Sequence, residues 1–327
     1  MKKNVAVVYG GDSSEYKISI LSGKYVAQSI SRDKYEVYEV FVRGARWCVC
    51  ESGTEEIRPI ADIDKSDFSC LIDGRRILFD VAYITIHGTP GENGLMQGYL
   101  QMLGIPCNTC DAHVASVIFD KCSCKRFLSG AGINMAKDVY LQKGDPYDLK
   151  EILAQLRLPV FVKPVIGGSS FGVTKVKKPE DLEEAIRNGF IEGDALIIEE
   201  GVKGRELTEG VFRKGNKIIP LPVTEIVPEG EYFDYEAKYL GKSKELCPAP
   251  IPEELAAELG SLSCRIYKYL GCNGVVRIDY IWDGKDIWFL ELNVTPGMTK
   301  MSIVPAQVRA AGIDITEFLD TLIEGSR

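Results

Sequence analysis

Residues 275–297 read VVRIDYIWDGKDIWFLELNVTPG. Two runs of β-branched and aromatic residues flank Asp283-Gly284, the short-range signal of a β-hairpin. Side chains alternate faces along a strand. With Gly284, Lys285 and Asp286 as the loop, Asp283 pairs with Ile287, Asp279 with Glu291, and Arg277 with Asn293. Ile278, Tyr280, Trp282, Trp288, Leu290 and Leu292 then make an apolar face, and the opposite face gathers Arg277, Asp279, Glu291 and Asn293. Two carboxylates held together repel unless a cation or a proton lies between them. The oxygen donors Asp279, Glu291 and Asn293 suit Mg²⁺, which keeps water and phosphate oxygens in its shell. A solvated hairpin with a cross-strand Arg–Glu pair is the simpler reading of such a face. The apolar run VTPGM that follows directly argues against solvent at this end of the sheet.

A chain of 327 residues suggests two or three domains. With 45% hydrophobic and 26% charged residues, its composition is that of an ordinary globular protein. The net charge of -8 supplies no basic field for nucleic acid or an anionic membrane, so any phosphate must be held locally. The opening MKKNVAVVYGG is too short in its apolar run for a secretory signal, and no run approaches a bilayer span. Without a signal, the ten cysteines read as reduced thiols of a cytoplasmic protein. Cys107-x-x-Cys110 lacks a second such pair, and the only histidines are His87 and His113, so no zinc site is expected. The pairs Cys48/Cys50 and Cys122/Cys124 read the same way.

Toward the N-terminus, NVAVVY (4–9) reads as a buried strand, and Asp12-Ser-Ser-Glu15 as the capped start of a helix through Ile18, Leu21, Tyr25, Val26 and Ile30. A strand at 35–42 and another within FDVAYITIHG (79–88) continue an alternating β/α order, hence a parallel sheet. Ligands sit beyond the carboxyl ends of such strands, where Glu15 and His87 both lie. The glycine-rich loop HGTPGENG (87–94) opens a helix at 95–103, and a helical stretch at 112–130 follows.

The strand pair LPVFVKPVIGGSSFGVTKV (158–176) carries Lys163 just before GGSSFG, a loop whose backbone N–H groups could cradle phosphate; glycine–serine hairpin loops without that role are common. It is not a Walker loop, because no GK[ST] follows. After an amphipathic helix (179–188), the strand ALIIEE ends in Glu199-Glu200, and the next strand carries Glu206. An acid at a strand end can accept from an adenine amino group or a ribose hydroxyl, or simply be solvated. Residues 228–250 form a long polar, aromatic, proline-bounded loop, expected to act as a lid. A helix at 253–270 leads into the hairpin.

These segments together resemble the D-alanine–D-alanine ligase family of the ATP-grasp superfamily. The resemblance is carried, in family order, by GGxSxE near the N-terminus, HGxxGE, VKPxxxGSSxG, DYExKY, RxDxxx…ExNxxPGMT and SxxP, over residues 4 to about 312. It implies a fold mixing α/β and α+β, in three domains, with an N-terminal parallel α/β domain. The divisions expected are 1–112 for the substrate domain, 113–200 for the central ATP-grasp domain and 201–327 for the C-terminal one.

The resemblance also implies residue roles. Lys121, Lys163 and Ser170 contact ATP phosphates, with Lys238 reaching the γ-phosphate. Glu199, Val202 and Glu206 hold the adenosine, and Asp279, Glu291 and Asn293 hold two Mg²⁺ ions, or Mn²⁺ in their place. Glu15 binds the ammonium of the first D-alanine in a hydrogen-bonded trio with Ser169 and Tyr239. His87, Ser302 and Ile303 complete the substrate site, Ser302 taking the second substrate's carboxylate. Arg277 and the Gly297 N–H stabilise the oxyanion. The implied reaction passes through an acyl phosphate and gives D-Ala-D-Ala for cell-wall precursor synthesis, in a cytoplasmic homodimer that touches neither nucleic acid nor membrane.

Asn93 and Gly201 depart from the family's usual acid and bulky residue. Two other readings are open: an ATP-grasp carboxylate–amine ligase with a different acceptor, and a non-catalytic nucleotide sensor. The second expects loss of Arg277, Asp279, Glu291 or Asn293, all of which are present.

Overall fold

The computed structural model describes residues 2–168, 172–228 and 243–327. Ser169, Ser170, Lys238, Tyr239 and most of the expected lid lie outside the described residues. Three sheets organise the described chain. The first contains β1 (Lys3–Gly10), β2 (Tyr35–Arg43), β3 (Arg46–Cys50), β4 (Pro59–Asp64), β5 (Ser69–Ile72), β6 (Arg75–Ile77) and β7 (Val81–Ile84), in the order β6-β5-β4-β3-β2-β1-β7. Its core is parallel, β2-β1-β7, and NVAVVY is buried on both faces as a central parallel strand requires. The irregular stretch after residue 43 extends this core as an antiparallel meander, β2 to β6.

Helix α1 (Tyr16–Ser29) follows β1. Asp12 does not cap it; its carboxylate accepts from the Gly44 N–H at 2.7 Å, closing the β1–α1 turn onto the β2–β3 turn. The expected apolar stripe is also broken at Leu21, which is exposed.

After α2 (Leu95–Met102), the helical stretch is two helices, α3 (Ala112–Phe119) and α4 (Lys121–Ser129). Asp111 and Asp120 cap them through the N–H groups of Val114 and Ser123. The second sheet comprises β8 (Asp138–Gln142), β9 (Val160–Pro164), β10 (Thr174–Val176) and β11 (Ala195–Glu200), all antiparallel, in the order β10-β9-β11-β8. Helices α5 (Leu149–Gln155) and α6 (Leu182–Glu192) pack on it through Ile152, Leu182 and Ile186.

The third sheet holds β12 (Arg205–Lys214), β13 (Lys217–Pro220), β14 (Thr224–Pro228), β15 (Ser243–Leu246), β16 (Val275–Trp282) and β17 (Ile287–Asn293). Helix α7 (Glu253–Leu270), ended by Gly271 in the left-handed region, shares a core with this sheet and with α3 and α4. Helices α8 (Ile303–Ala310) and α9 (Ile315–Glu324) close the chain, and their Val304, Val308, Phe318 and Leu322 join the core under β1 and α1. The first and third sheets are thereby locked together.

Candidate active site

The hairpin β16–β17 pairs Arg277 with Asn293 and Asp279 with Glu291, the expected pairs, though not through the expected loop. Nearer the turn the register differs. Trp282, not Asp283, pairs with Ile287 across a four-residue loop, and the shift is absorbed between Asp279 and Tyr280, where Leu290 is the extra residue of a β-bulge. The bulge reverses the faces of β17 on its turn side. Ile287 and Phe289 enter the core with Ile278, Tyr280 and Leu292, whereas Trp288 and Leu290 face a cavity. The expectation that Trp288 and Leu290 belong to the core is therefore corrected.

Asp279 is almost fully buried, and its neighbours orient it closely. Arg277 donates to both its oxygens at 2.9 and 2.8 Å, Thr208 Oγ1 donates at 2.5 Å, and the Asn293 amide donates at 3.3 Å. Glu291 lies half-buried beside this group. Among the described residues no cluster of three His, Cys, Asp or Glu side chains is placed to hold a metal. The donor set of two carboxylates and an amide fits a hard cation that completes its shell from a phosphorylated ligand.

Glu291 also lines a cavity of about 570 Å³ between the second and third sheets. Lys121, Lys163, Glu199, Val202 and Glu206 line the same cavity, so every described residue expected to touch ATP meets there. Phe161, Trp288 and Leu290 add apolar surface. Glu199 is buried between two ammonium groups, Lys163 at 2.6 Å and Lys125 at 2.5 Å. Burial alone would raise its pKa, but Lys163 and Lys125 together hold it down at about 2. Lys121 donates to the Gly167 carbonyl at 2.6 Å, closing the base of the glycine loop.

On the other side of the hairpin, His87 is buried where the first sheet meets the loop after β17. Its Nδ1 donates to the Thr295 carbonyl at 2.9 Å, and Nε2 lies 3.4 Å from Ser22 Oγ, which accepts from the Met298 N–H. Burial lowers the pKa of His87, so the ring is neutral, with its proton on Nδ1. Glu15 is half-buried at the start of α1, and a Cβ on Gly168 would lie 2.8 Å from its Oε2, so Glu15 reaches the glycine loop. Gly297 approaches Ser302 as closely, a Cβ there standing 2.9 Å from Ser302 Oγ. Ser302 caps the Thr299 turn, accepting from its N–H at 3.0 Å, and Ile303 is the buried first residue of α8.

Two residues gain importance that the sequence reading left without a role. Glu92, inside the HGxxGE segment, is buried, accepts from the Gly88 N–H at 2.7 Å and lines a small chamber with Glu291 and Asn293. Burial, aided by Glu15, pushes its carboxyl up to about 8. Lys125 reads in sequence as an ordinary helix lysine, yet it is 5% exposed.

A nucleotide-sized cleft between two antiparallel sheets, with an acidic hairpin at its mouth, defines an ATP-grasp ligase, and solved ligases share the whole fold. Residues 4–110 match the family described as D-ala D-ala ligase N-terminus, and residues 127–324 that described as D-ala D-ala ligase C-terminus. The chain belongs to the D-alanine–D-alanine ligase family. The D-alanine–D-alanine ligase of Phocaeicola vulgatus is 45% identical over 326 residues, covering 99% of each chain. That of Porphyromonas gingivalis is also 45% identical, covering 99% of this chain and 98% of the relative. Among solved structures, a D-Ala:D-Ser ligase from Enterococcus faecalis superposes with a TM-score of 0.88 at 32% identity, covering 99% of both chains. The D-alanine–D-alanine ligase of Coxiella burnetii gives 0.87 at 25% identity, over 99% of this chain and 93% of that one.

Proposed function

We propose that the protein joins two D-alanines to D-alanyl-D-alanine at the expense of ATP, for peptidoglycan precursor synthesis. Membership of the ligase family supports the activity, and the observation that carries the site is the position of Glu291, which lines both the 570 Å³ cavity and the chamber of Glu92 and Asn293. A nucleotide lying along Val202, Glu206 and Glu199 would present its phosphates to Lys163 and Lys121 and to the hairpin acids. Asp279, Glu291 and Asn293 would hold Mg²⁺ there, where it supplies charge neutralisation for phosphoryl transfer. Arg277 and the Gly297 N–H face the developing oxyanion. Glu15 and His87 orient the first D-alanine, and Ser302 with Ile303 the second. Ser169, Ser170, Lys238 and Tyr239 complete the site by resemblance, with 228–250 as its lid.

The proposed divisions at 1–112, 113–200 and 201–327 put one sheet in each part, although α3 and α4 pack in the core of the third sheet. Free thiols at all ten cysteines fit a reducing cytoplasm, and no described helix is long and apolar enough to cross a membrane. A homodimer rests on the resemblance.

The test is ADP release and product mass with D-alanine alone, and with D-serine, D-lactate or L-alanine in competition. The expected product is D-Ala-D-Ala, with negligible ester. ADP release that does not depend on D-alanine, or a mixed product in excess, would overturn the assignment.

A further inference from the structure

Two ammonium groups share one carboxylate at the edge of the nucleotide cavity. Lys125, on α4, has acceptors for all three of its protons: the Ala136 carbonyl at 2.9 Å, Asp138 Oδ2 at 3.1 Å and Glu199 Oε1 at 2.5 Å. Lys163, on β9, takes the other oxygen of Glu199 at 2.6 Å. The two cations differ in what surrounds them. Lys163 lines the 570 Å³ cavity, whereas Lys125 lines only the small chamber behind it, pinned by a backbone carbonyl and two carboxylates.

A phosphate arriving from the cavity competes with Glu199 for the Lys163 ammonium and weakens its hold on that carboxylate. Glu199 is 7% exposed, and a buried carboxylate stripped of its cation is strongly disfavoured. We propose that Lys125 is the positioning residue that keeps Glu199 neutralised while Lys163 moves onto the nucleotide phosphates. The proposal rests on the reading of Lys163 as a phosphate ligand. It carries an asymmetry: adenosine has no phosphate to draw Lys163 away, so its binding does not need the second cation.

Binding of ATP and of adenosine to the full-length protein, measured by calorimetry, tests this. Lys125→Met is expected to weaken ATP by about tenfold or more and to leave adenosine within about threefold of wild type. Equal losses for the two ligands would reveal a merely structural role and overturn the proposal, as would undiminished ATP binding. The double variant Lys125→Met/Glu199→Gln removes the carboxylate that needs neutralising, while Asp138 keeps its paired hydrogen bonds from Arg126 at 3.0 and 2.7 Å. It should return the ATP-to-adenosine affinity ratio toward wild type, and it serves equally if the single variant does not fold. A ratio that stays depressed overturns the proposal. Lys163→Met, run alongside, separates the two claims. If it weakens ATP while Lys125→Met does not, the role of Lys125 alone fails; if it leaves ATP unchanged, the phosphate reading falls and the proposal with it.

Discussion

Thr208 and Asp279 face each other across the β12–β16 pair, joined by a 2.5 Å hydrogen bond from Thr208 Oγ1 to Asp279 Oδ1. Both are buried, so the hydroxyl joins Arg277 and Asn293 in fixing the rotation of the carboxylate. Thr208→Val keeps the shape and removes the donor. It should lower kcat roughly tenfold or more, the usual cost of losing an outer partner of a metal-binding carboxylate, whereas Thr208→Ser should stay near wild type. Steady-state kinetics of the two variants decide; equal kcat values would show that the bond is not used.

Glu291 reaches both cavities. Glu291→Gln should preserve the melting temperature and cut turnover by roughly a hundredfold or more, because a neutral amide holds a divalent cation, and through it the phosphates, more weakly than a carboxylate does. Mn²⁺ binding in the presence of ADP, followed by electron paramagnetic resonance, should weaken in parallel. Near-normal turnover would remove Glu291 from the metal set.

Leu290 faces the cavity because of the bulge. Leu290→Ala should therefore weaken ATP and adenosine alike by about five- to twentyfold, the effect of removing a few buried methyl and methylene groups. Stability should change little, since no core contact is lost. A large drop in melting temperature with unchanged nucleotide affinity would instead place Leu290 in the core.

Glu209 is buried on β12 with one carboxylate oxygen unpartnered, and burial pushes its pKa up from 4.5 to about 8. The folded protein thus keeps a proton that the unfolded chain releases. That contribution to stability is fully present below pH 4.5 and is lost as pH rises through about 8. Between those limits Glu209 steepens the loss by up to about 1.4 kcal/mol per pH unit. Glu209→Gln, which cannot ionise, should flatten the slope of unfolding free energy between pH 5 and 8, measured with urea. Equal slopes would mean that Glu209 ionises at its ordinary pH.

How much of this was legible in the sequence varied with the strength of local signals. Helix α7 is bracketed by Pro252 and Gly271, and its predicted and observed limits coincide at Glu253–Leu270. The shared face of Arg277 with Asp279, and of Glu291 with Asn293, followed from polar residues spaced by two, but their pairing rested on a three-residue loop and holds because the fourth loop residue and the bulge offset each other. The bulge itself was not legible, because Ile287, Trp288, Phe289 and Leu290 are all apolar and favour neither phase. Asp120 ends one helix and caps the next, a double role that composition does not show. The meander of β3 to β6 exposes Ile60 and Leu71, which blurs its alternation. Burial of Glu92 and Lys125 is set by distant segments, Thr295 for one and Glu199 for the other, and no local pattern encodes it.

A regular strand commits each face to one chemistry along its whole length, and the bulge at Leu290 releases β17 from that commitment. Upstream of it the cleft-facing side is greasy, with Trp288 and Leu290; downstream it is ionic, with Glu291 and Asn293. The change of solvent character takes place between two adjacent residues, without a loop or a second element. A single strand can thereby offer one end of an amphiphilic ligand a hydrocarbon wall and the other end oxygen donors, on one surface.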